Sequence, residues 1–339
     1  MDTTCAVTTE GAVLCWGRGE HGELGNGEMG TFSASPMMVA GISDAVDVAV
    51  SRRVCARRTG GALSCWGAAP LGDGSDVNSS VPQTIDVGGP VVDVANGPSL
   101  GGATHSCAAL TNGLKCWGGN ASGQIGVDPA VTTYATTPGL LGGSASAVCA
   151  GANFSCRLDT DIRCWGGGTL GQLGNGNNQS SHQAVTVMSS GAATQVTCGV
   201  AHACMLVGNT VSCWGADSTG QLGNGAAGDS NVPDAVPNLP QMKHVGAGAG
   251  HTCAIAESGE AWCWGGNEEG QLGTGDTTAA ASPVQVVGIT NATTVSAGWA
   301  HSCAITTDAR LFCWGSNDFG QLGDGTVQPS TVPVEVTLP

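Results

Sequence analysis

Residues 298–326 read GWAHSCAITTDARLFCWGSNDFGQLGDGT. Cys303 and Cys313 flank a short polar turn, Trp314 follows the second cysteine, and a Gly-Gln-Leu-Gly run closes the stretch. The segment reads as two antiparallel strands, "HSCAI" (His301–Ile305) and "RLFCWG", joined through "TTDA". A small-residue strand precedes them, "TTVSAG" (Thr293–Gly298), and a fourth follows a longer polar loop, "TVPVEV" (Thr331–Val336).

The same unit recurs along the chain. Cys-Trp-Gly begins at Cys15, Cys65, Cys116, Cys164, Cys213, Cys263 and Cys313, in steps of 50, 51, 48, 49, 50 and 50. Each copy has a second cysteine eight to ten positions earlier: Cys5, Cys55, Cys107, Cys156, Cys204, Cys253 and Cys303. A Gly-Gln-Leu-Gly-like turn follows at residues 22–25, 123–126, 171–174, 220–223, 270–273 and 320–323, and only the second copy lacks it. Four short strands per unit and a period near 50 specify an all-β, seven-bladed β-propeller of four-stranded antiparallel blades. The blades are expected at about 1–44, 45–90, 91–141, 142–191, 192–241, 242–290 and 291–339 of a single propeller domain.

A blade packs against a neighbour on each face, so its strands carry apolar residues on both. Alternation along the strand puts Cys313 on one face and Trp314 on the other. Inner strands crowd the axis, which accounts for the small residues in "DVAVS", "DVANG", "HVGAG" and "TVSAG". Blade 1 opens at "TTCAV" with no counterpart of "TTVSAGWAH". It is expected either to have three strands or to have lost upstream residues, for instance with a signal peptide.

The chain resembles the regulator of chromosome condensation repeats, which form seven-bladed propellers, and reads as a cysteine-rich, bacterial secreted variant. The motif SAGWAHSCAITTDARLFCWGSNDFGQLGDGT carries the resemblance, with looser copies along nearly all of the chain. The family includes a nucleotide exchange factor for a small GTPase, a plant ultraviolet-B photoreceptor and bacterial β-lactamase inhibitors, so fold alone does not carry function. The photoreceptor needs clustered tryptophans in its Gly-Trp-Arg-His position, and here only Trp299 holds that place.

Sixteen cysteines among 339 residues is an even and high number. Their spacing is wrong for zinc. In a hairpin turning at Thr307–Ala309, Cys303 and Cys313 fall opposite each other, within disulfide reach. Seven hairpin disulfides are therefore expected: Cys5–Cys15, Cys55–Cys65, Cys107–Cys116, Cys156–Cys164, Cys204–Cys213, Cys253–Cys263 and Cys303–Cys313. Cys149 and Cys198 remain, in inner strands of neighbouring blades, and an eighth bond between them is expected; two buried thiols are the alternative. Disulfides place the protein in an oxidising compartment, extracellular, periplasmic or on a cell surface.

Ten Lys and Arg against 26 Asp and Glu give a net charge of −16. That balance lacks the footprint of nucleic-acid binding. No apolar run approaches the roughly 20 residues of a spanning helix, and neither a signal peptide nor membrane insertion is read from the chain.

His105, His202, His251 and His301 share one motif position, two before the hairpin cysteine, where blade 2 has Arg53 and blade 4 has Phe154. Repetition in four blades marks them as structural, without metal-ligand spacing. Asp73, Asp76, Asp229, Asp276 and Asp324 lie in turn contexts, with no EF-hand pattern. Sequons at Asn78, Asn120, Asn153, Asn178 and Asn291 matter only in a eukaryotic secretory host.

Blade 2 departs most from the pattern. Arg52, Arg53, Arg57 and Arg58 are four of the chain's ten basic residues, and its later loop, "GAAPLGDGSD", is short. Blade 3 gains an insertion around Pro98, Ser99 and Leu100, reaching to Thr104. In antiparallel blades the first-to-second and third-to-fourth loops share a face, so Arg52, Arg53, the insertion and Trp299 should meet on it. Arg suits carboxylates and Trp suits binding hot spots. The expectation is a monomeric, non-enzymatic binding propeller with no cofactor, recognising a protein or glycan through this face, an enzyme inhibitor being one version. Alternatives are local neutralisation of an acidic surface by these arginines, a lyase or hydrolase with a channel or loop site, and a structural or adhesive module.

Overall fold

The structure is a computed structural model, and it describes residues 2–99 and 104–339. Six sheets have four antiparallel strands and the first has three, Thr3–Val7, Val13–Gly19 and Thr31–Met38. Blade 1 thus has three strands, its first pairing on one edge only among the described residues. In blade 7 the strands are Ala292–Ala297, His301–Thr306, Leu311–Gly315 and Ser330–Glu335, in sequence order from the axis outward.

The hairpin register puts the cysteines directly opposite: Cys5↔Cys15, Cys55↔Cys65 and Cys303↔Cys313 among them. All seven hairpin disulfides form, and Cys149–Cys198 joins blades 4 and 5 across 49 residues of chain. The sulfurs of Cys149, Cys156 and Cys198 cluster within 4.8 Å, but each already belongs to a disulfide. Cys149 pairs in register with Cys156, whereas Cys198 pairs with Ala203, so the bond links positions one residue out of step.

Cys and Trp face opposite neighbours, as alternation requires. Trp314 packs with Ile255, Cys263 and Leu272 of blade 6, while Cys313 packs with Leu14 and Trp16 of blade 1. The seven hairpin tryptophans are the largest fully buried side chains. Each accounts for several kilocalories per mole of apolar burial, at about 25 cal/mol per Å².

Polar groups finish each joint between blades, and the Gly-Gln-Leu-Gly turn is the reason it recurs. The Trp indole N–H donates to the carbonyl of the turn's second residue in the preceding blade: Trp214 to Gln172 at 3.0 Å, Trp264 to Gln221 at 2.9 Å, Trp314 to Gln271 at 2.8 Å and Trp16 to Gln321 at 2.9 Å. The turn's last glycine lies against the same ring. Gly323 has φ +70°, and a Cβ there would come within 2.6 Å of the Trp16 indole nitrogen. An Asn or Asp ahead of the turn holds it from inside. Asn317 Oδ1 accepts from the Leu322 N–H at 2.9 Å, and Asn120, Asp217 and Asn267 repeat that bond.

The repeated histidines link neighbouring blades through side chains rather than serving their own blade's backbone. His105 Nε2 is 2.8 Å from Ser155 Oγ, His202 Nε2 is 2.9 Å from Thr252 Oγ1, and His251 Nε2 is 2.9 Å from Ser302 Oγ. Those hydroxyls donate onward to Gln124, Gln221 and Gln271 carbonyls at 2.9 Å. A hydroxyl whose proton is committed can only accept, so Nε2 carries the proton in each ring. Burial holds all four imidazoles, His301 included, down to about pKa 3.

Three blades lack histidine at this position, and in two of them the residue meets an apolar neighbour. Phe154 meets Ala203, which has no hydroxyl, and both lie in one apolar cluster. In blade 1 the position is Thr3, and the next blade presents Val54.

Candidate functional site

A groove of about 390 Å³ opens on the face that carries the first-to-second and third-to-fourth loops. Blade 1 contributes Arg18, Glu20, His21 and Glu23; blade 2 contributes Ser51 and Arg52; Ser99 and Trp299 come from blades 3 and 7. The shared loop face therefore brings together Arg52, Ser99 and Trp299. Pro98 lines the adjoining central channel instead. Leu100 lies outside the described residues.

The four arginines of blade 2 divide into three roles. Arg58 Nε donates to Asp44 at 2.7 Å, and Arg57 stands 4.0 Å from Asp47, so both neutralise acidic surface locally. Arg52 is half-buried, and its guanidinium has no hydrogen-bond or ion-pair partner among the described residues.

Arg53 departs from the expectation that it meets a partner. It is fully buried and donates to Ser106 Oγ at 2.7 Å, Thr104 Oγ1 at 2.6 Å and the Ala68 carbonyl at 3.3 Å. It occupies the histidine position, and Ser106 occupies the hydroxyl position of the next blade. The guanidinium therefore makes the joint that His105 makes to Ser155. Desolvation pulls it down to about pKa 9, so it remains a cation at neutral pH, held by neutral oxygens alone. Ser106 passes its own proton to Asn96 Oδ1 at 2.6 Å. No glutamine carbonyl is offered here, because blade 2's turn carries Pro70 in that place.

That short loop still preserves half of the turn. Leu71 is fully buried against Trp117, and Gly72, with φ +101°, lies under the same indole. The Trp117 N–H has no acceptor among the described residues. Sequence reading missed this, although Leu-Gly-Asp-Gly at 71–74 matches Leu-Gly-Asn-Gly at 173–176.

Elsewhere the groove is internally neutralised. Arg18 pairs with Glu20, lies 3.7 Å from Asp2, and covers the Phe319 ring at 4.9 Å. Glu23 takes the turn's Gln position and accepts from the His21 N–H at 2.7 Å and its ring Nδ1 at 3.0 Å. The loop carboxylates are turn formers: Asp73 accepts from Ser75, Asp276 from Thr278 and Asp324 from Thr326, while Asp229 accepts from Asp217 N–H and Asp76 from the Tyr134 hydroxyl.

Trp299, 37% exposed, borders both the groove and the central channel, a space of about 580 Å³. The channel wall is made of inner strands, which touch through single side chains. Asp93 Oδ2 accepts from the Val148 N–H at 2.8 Å, Gln195 brackets Val245 with bonds of 3.1 and 2.9 Å, and Thr197 Oγ1 accepts from Ala247 N–H at 3.2 Å. Burial lifts Asp93 to about pKa 6 and lowers His244, in the same ring, to about 4.

The family model described as the regulator of chromosome condensation (RCC1) repeat matches residues 10–56, 164–206, 210–255, 258–305 and 308–339, and a second model of that repeat matches 242–271 and 292–321. These segments make up more than half of the chain. The chain belongs to the RCC1 repeat family. Among solved structures, human WBSCR16 matches with a TM-score of 0.86 at 19% identity, covering 97% of this chain and 95% of that one. Saccharomyces cerevisiae Prp20p, studied for its binding to Gsp1p and histones, matches with a TM-score of 0.81 at 20% identity over 98% and 88% of the two chains. Yeast RCC1 (Prp20) bound to Kap60 gives 0.82 at 18% over 98% and 85%. At these identities the likeness is one of fold, and an RCC1-like propeller is a fold that mediates protein interaction.

Proposed function

We propose that this RCC1-repeat propeller is a non-enzymatic interaction module of an oxidising compartment that captures a protein partner through the groove at Arg52 and Trp299. The observation that carries the reading is Arg52, a half-buried cation with no partner among the described residues, in a chain of net charge −16. An arginine beside an exposed tryptophan at the mouth of a channel is suited to a carboxylate on an extended or protruding segment. The four histidines held at low pKa and the lowered Arg53 support binding over catalysis, because each is committed to a joint between blades. Eight disulfides support the compartment. Prp20p, of like fold, binds proteins.

The test is affinity capture from the native extracellular or periplasmic fluid, with wild type, Arg52→Ala, Trp299→Ala and, as a control off the groove, Arg58→Ala. The expected result is a partner held by wild type and Arg58→Ala and lost by the other two. A partner held equally by all four proteins overturns the reading.

A further inference from the structure

We infer that the loop between the third and fourth strands of blade 5 is a calcium site, in which Asp217 and Asp229 hold a divalent cation where other blades use an asparagine amide.

Three other blades pin this loop from inside with one side chain. Asn317 Oδ1 accepts from the Leu322 N–H, and its Nδ2 donates to the carbonyls of Thr326 at 3.2 Å and Gln328 at 2.9 Å. Asn267 Nδ2 donates to the carbonyls of Asp276 and Thr278 at 3.1 and 3.0 Å. Asn120 Nδ2 does the same with Val127 and Thr132, at 2.9 and 2.6 Å. In blades 6 and 7 a loop carboxylate joins them, Asp276 Oδ1 and Asp324 Oδ1 each lying 3.4 Å from the amide nitrogen. The nitrogen therefore sits in a cage of oxygens, a place that favours positive charge.

Blade 5 keeps the loop and changes the atom. Gly215, Gly265 and Gly315 pair with Ser230, Ala280 and Ser330, so the loops of blades 5, 6 and 7 are of equal length. The carbonyls that correspond to those around Asn267 belong to Ala226 and Gly228. The residue inside is Asp217. Its Oδ1 accepts from the Leu222 N–H at 2.9 Å, as Asn267 Oδ1 does from Leu272. A carboxylate is planar like an amide, so that shared bond turns Oδ2 toward the place of Nδ2. An acceptor thus faces the loop where the repeat has a donor. Asp217 is 4% exposed, and its Oδ2 is buried with no hydrogen-bond partner among the described residues.

A second carboxylate lies beside it. Gly228 has φ +121°, a backbone that other residue types rarely take, and Asp229 follows it. Asp229 Oδ1 accepts from the Asp217 N–H at 2.9 Å, while blades 6 and 7 have Ala279 and Pro329 at its position. No Arg, Lys or His pairs with either carboxylate among the described residues. A buried carboxylate oxygen without a partner is costly, and a bound cation removes that cost.

The donor set selects the ion. Every donor is oxygen, which suits a hard cation, and two carboxylates balance a divalent one. Asp217 Oδ2 and Asp229 supply the charge, the Ala226 and Gly228 carbonyls are the loop's further donors, and water completes the set. Calcium accepts such an irregular group of six to eight oxygens, whereas magnesium demands a near-ideal octahedron. Residues 225–229 are exposed, so the ion enters from solvent. Neither aspartate lines the groove, and the site stands apart from the binding reading above. The rival occupant is a proton: burial, and then Asp229, push the Asp217 carboxyl above the usual carboxylate range, and a protonated Oδ2 would donate as Nδ2 does.

The test is calorimetric titration of the whole chain, stripped with EDTA and dialysed into about 0.15 M sodium chloride to screen its acidic surface. Calcium chloride should bind at one site per chain with a Kd of about 10⁻⁴–10⁻³ M, and magnesium at least about tenfold more weakly. About 10 mM calcium should raise the melting temperature by about 2–5 °C. Asp217→Asn restores the residue of blades 3, 6 and 7 and should fold yet lose the site. Asp229→Asn keeps an acceptor for the Asp217 N–H and should weaken binding at least about tenfold. Asp276→Asn, at an exposed loop carboxylate of blade 6, should leave it unchanged. No saturable binding by about 10 mM calcium would overturn the site and leave a proton as the occupant of Oδ2. Equal binding by Asp217→Asn would overturn it in favour of diffuse attraction to the acidic surface. Magnesium binding as tightly as calcium would overturn the choice of ion.

Discussion

His301 Nε2 and Thr4 Oγ1 stand 3.0 Å apart across the seam between the last blade and the first, 297 residues distant in the chain. Thr4 passes its proton to the Gln321 carbonyl at 2.8 Å, and the Trp16 indole donates to the same oxygen at 2.9 Å. The described residues of the first and last sheets thus meet by the device used between the other blades.

Acid should loosen these joints. Each buried histidine is held at about pKa 3, far below an unfolded value near 6.5. Their full contribution is present above pH 6.5 and is lost as pH falls toward 3, by about 1.4 kcal/mol per pH unit per histidine. Asp93, raised to about 6, works in the opposite sense, its share fading as pH rises from 3.8 to 6. His301→Gln should therefore shrink the stability difference between pH 7.5 and pH 5 by about 2 kcal/mol, as read by denaturant titration at both pH values. An unchanged difference would mean that His301 takes up a proton in the folded protein.

The Phe154–Ala203 joint offers a double-mutant cycle. Phe154→His alone buries a ring N–H opposite a methyl group and should cost about 1–3 kcal/mol for the unmet donor, besides lost packing. Adding Ala203→Ser supplies the acceptor found in the histidine blades. The pair should couple favourably by about 1 kcal/mol or more. Additive losses would show that the repeat's matched residues are not energetically linked.

Arg52 and Arg53 are adjacent yet predicted to behave as opposites. Arg53→Ala should lower stability by about 2–4 kcal/mol through a cavity and stranded hydroxyls, and Arg53→His should recover part of it. Arg52→Ala should leave stability within about 0.5 kcal/mol and affect binding. Thermal unfolding of the three variants checks this, and an equal loss at both positions would contradict the division of roles.

Titration of thiols in denaturant without reductant should detect none of the sixteen cysteines. Replacing both Cys149 and Cys198 by Ser opens the largest covalent loop and should cost on the order of 4 kcal/mol in the chain-entropy estimate, against about 3 for Cys5 and Cys15. Free thiols at stoichiometric level would remove the argument for an oxidising compartment.

The propeller was legible because its signal is repeated: seven Cys-Trp-Gly hairpins on one period leave little choice of fold or of hairpin disulfide register. The meeting of Arg52, Ser99 and Trp299 was also legible, since antiparallel strands send alternate loops to one face. Arg53 was not. Taken singly, an arginine in an arginine-rich stretch reads as surface charge, and burial without a carboxylate is costly. The information lay in pairing residues one repeat apart: wherever His or Arg stands two before one hairpin cysteine, the next blade has Ser or Thr, and Phe154 is followed by Ala203.

One consequence of the joint between blades 4 and 5 concerns how such a chain could change over generations. That joint alone combines the Phe154–Ala203 contact with the Cys149–Cys198 bond. Its two halves fit each other and no other neighbour. A gene duplication that copied blade 4 into the seat of a histidine blade would set its phenylalanine against a hydroxyl and leave a cysteine unmated. Near-identical repeats thus become a series with a fixed sequence of seats, and recombination among them is penalised at the level of single side chains.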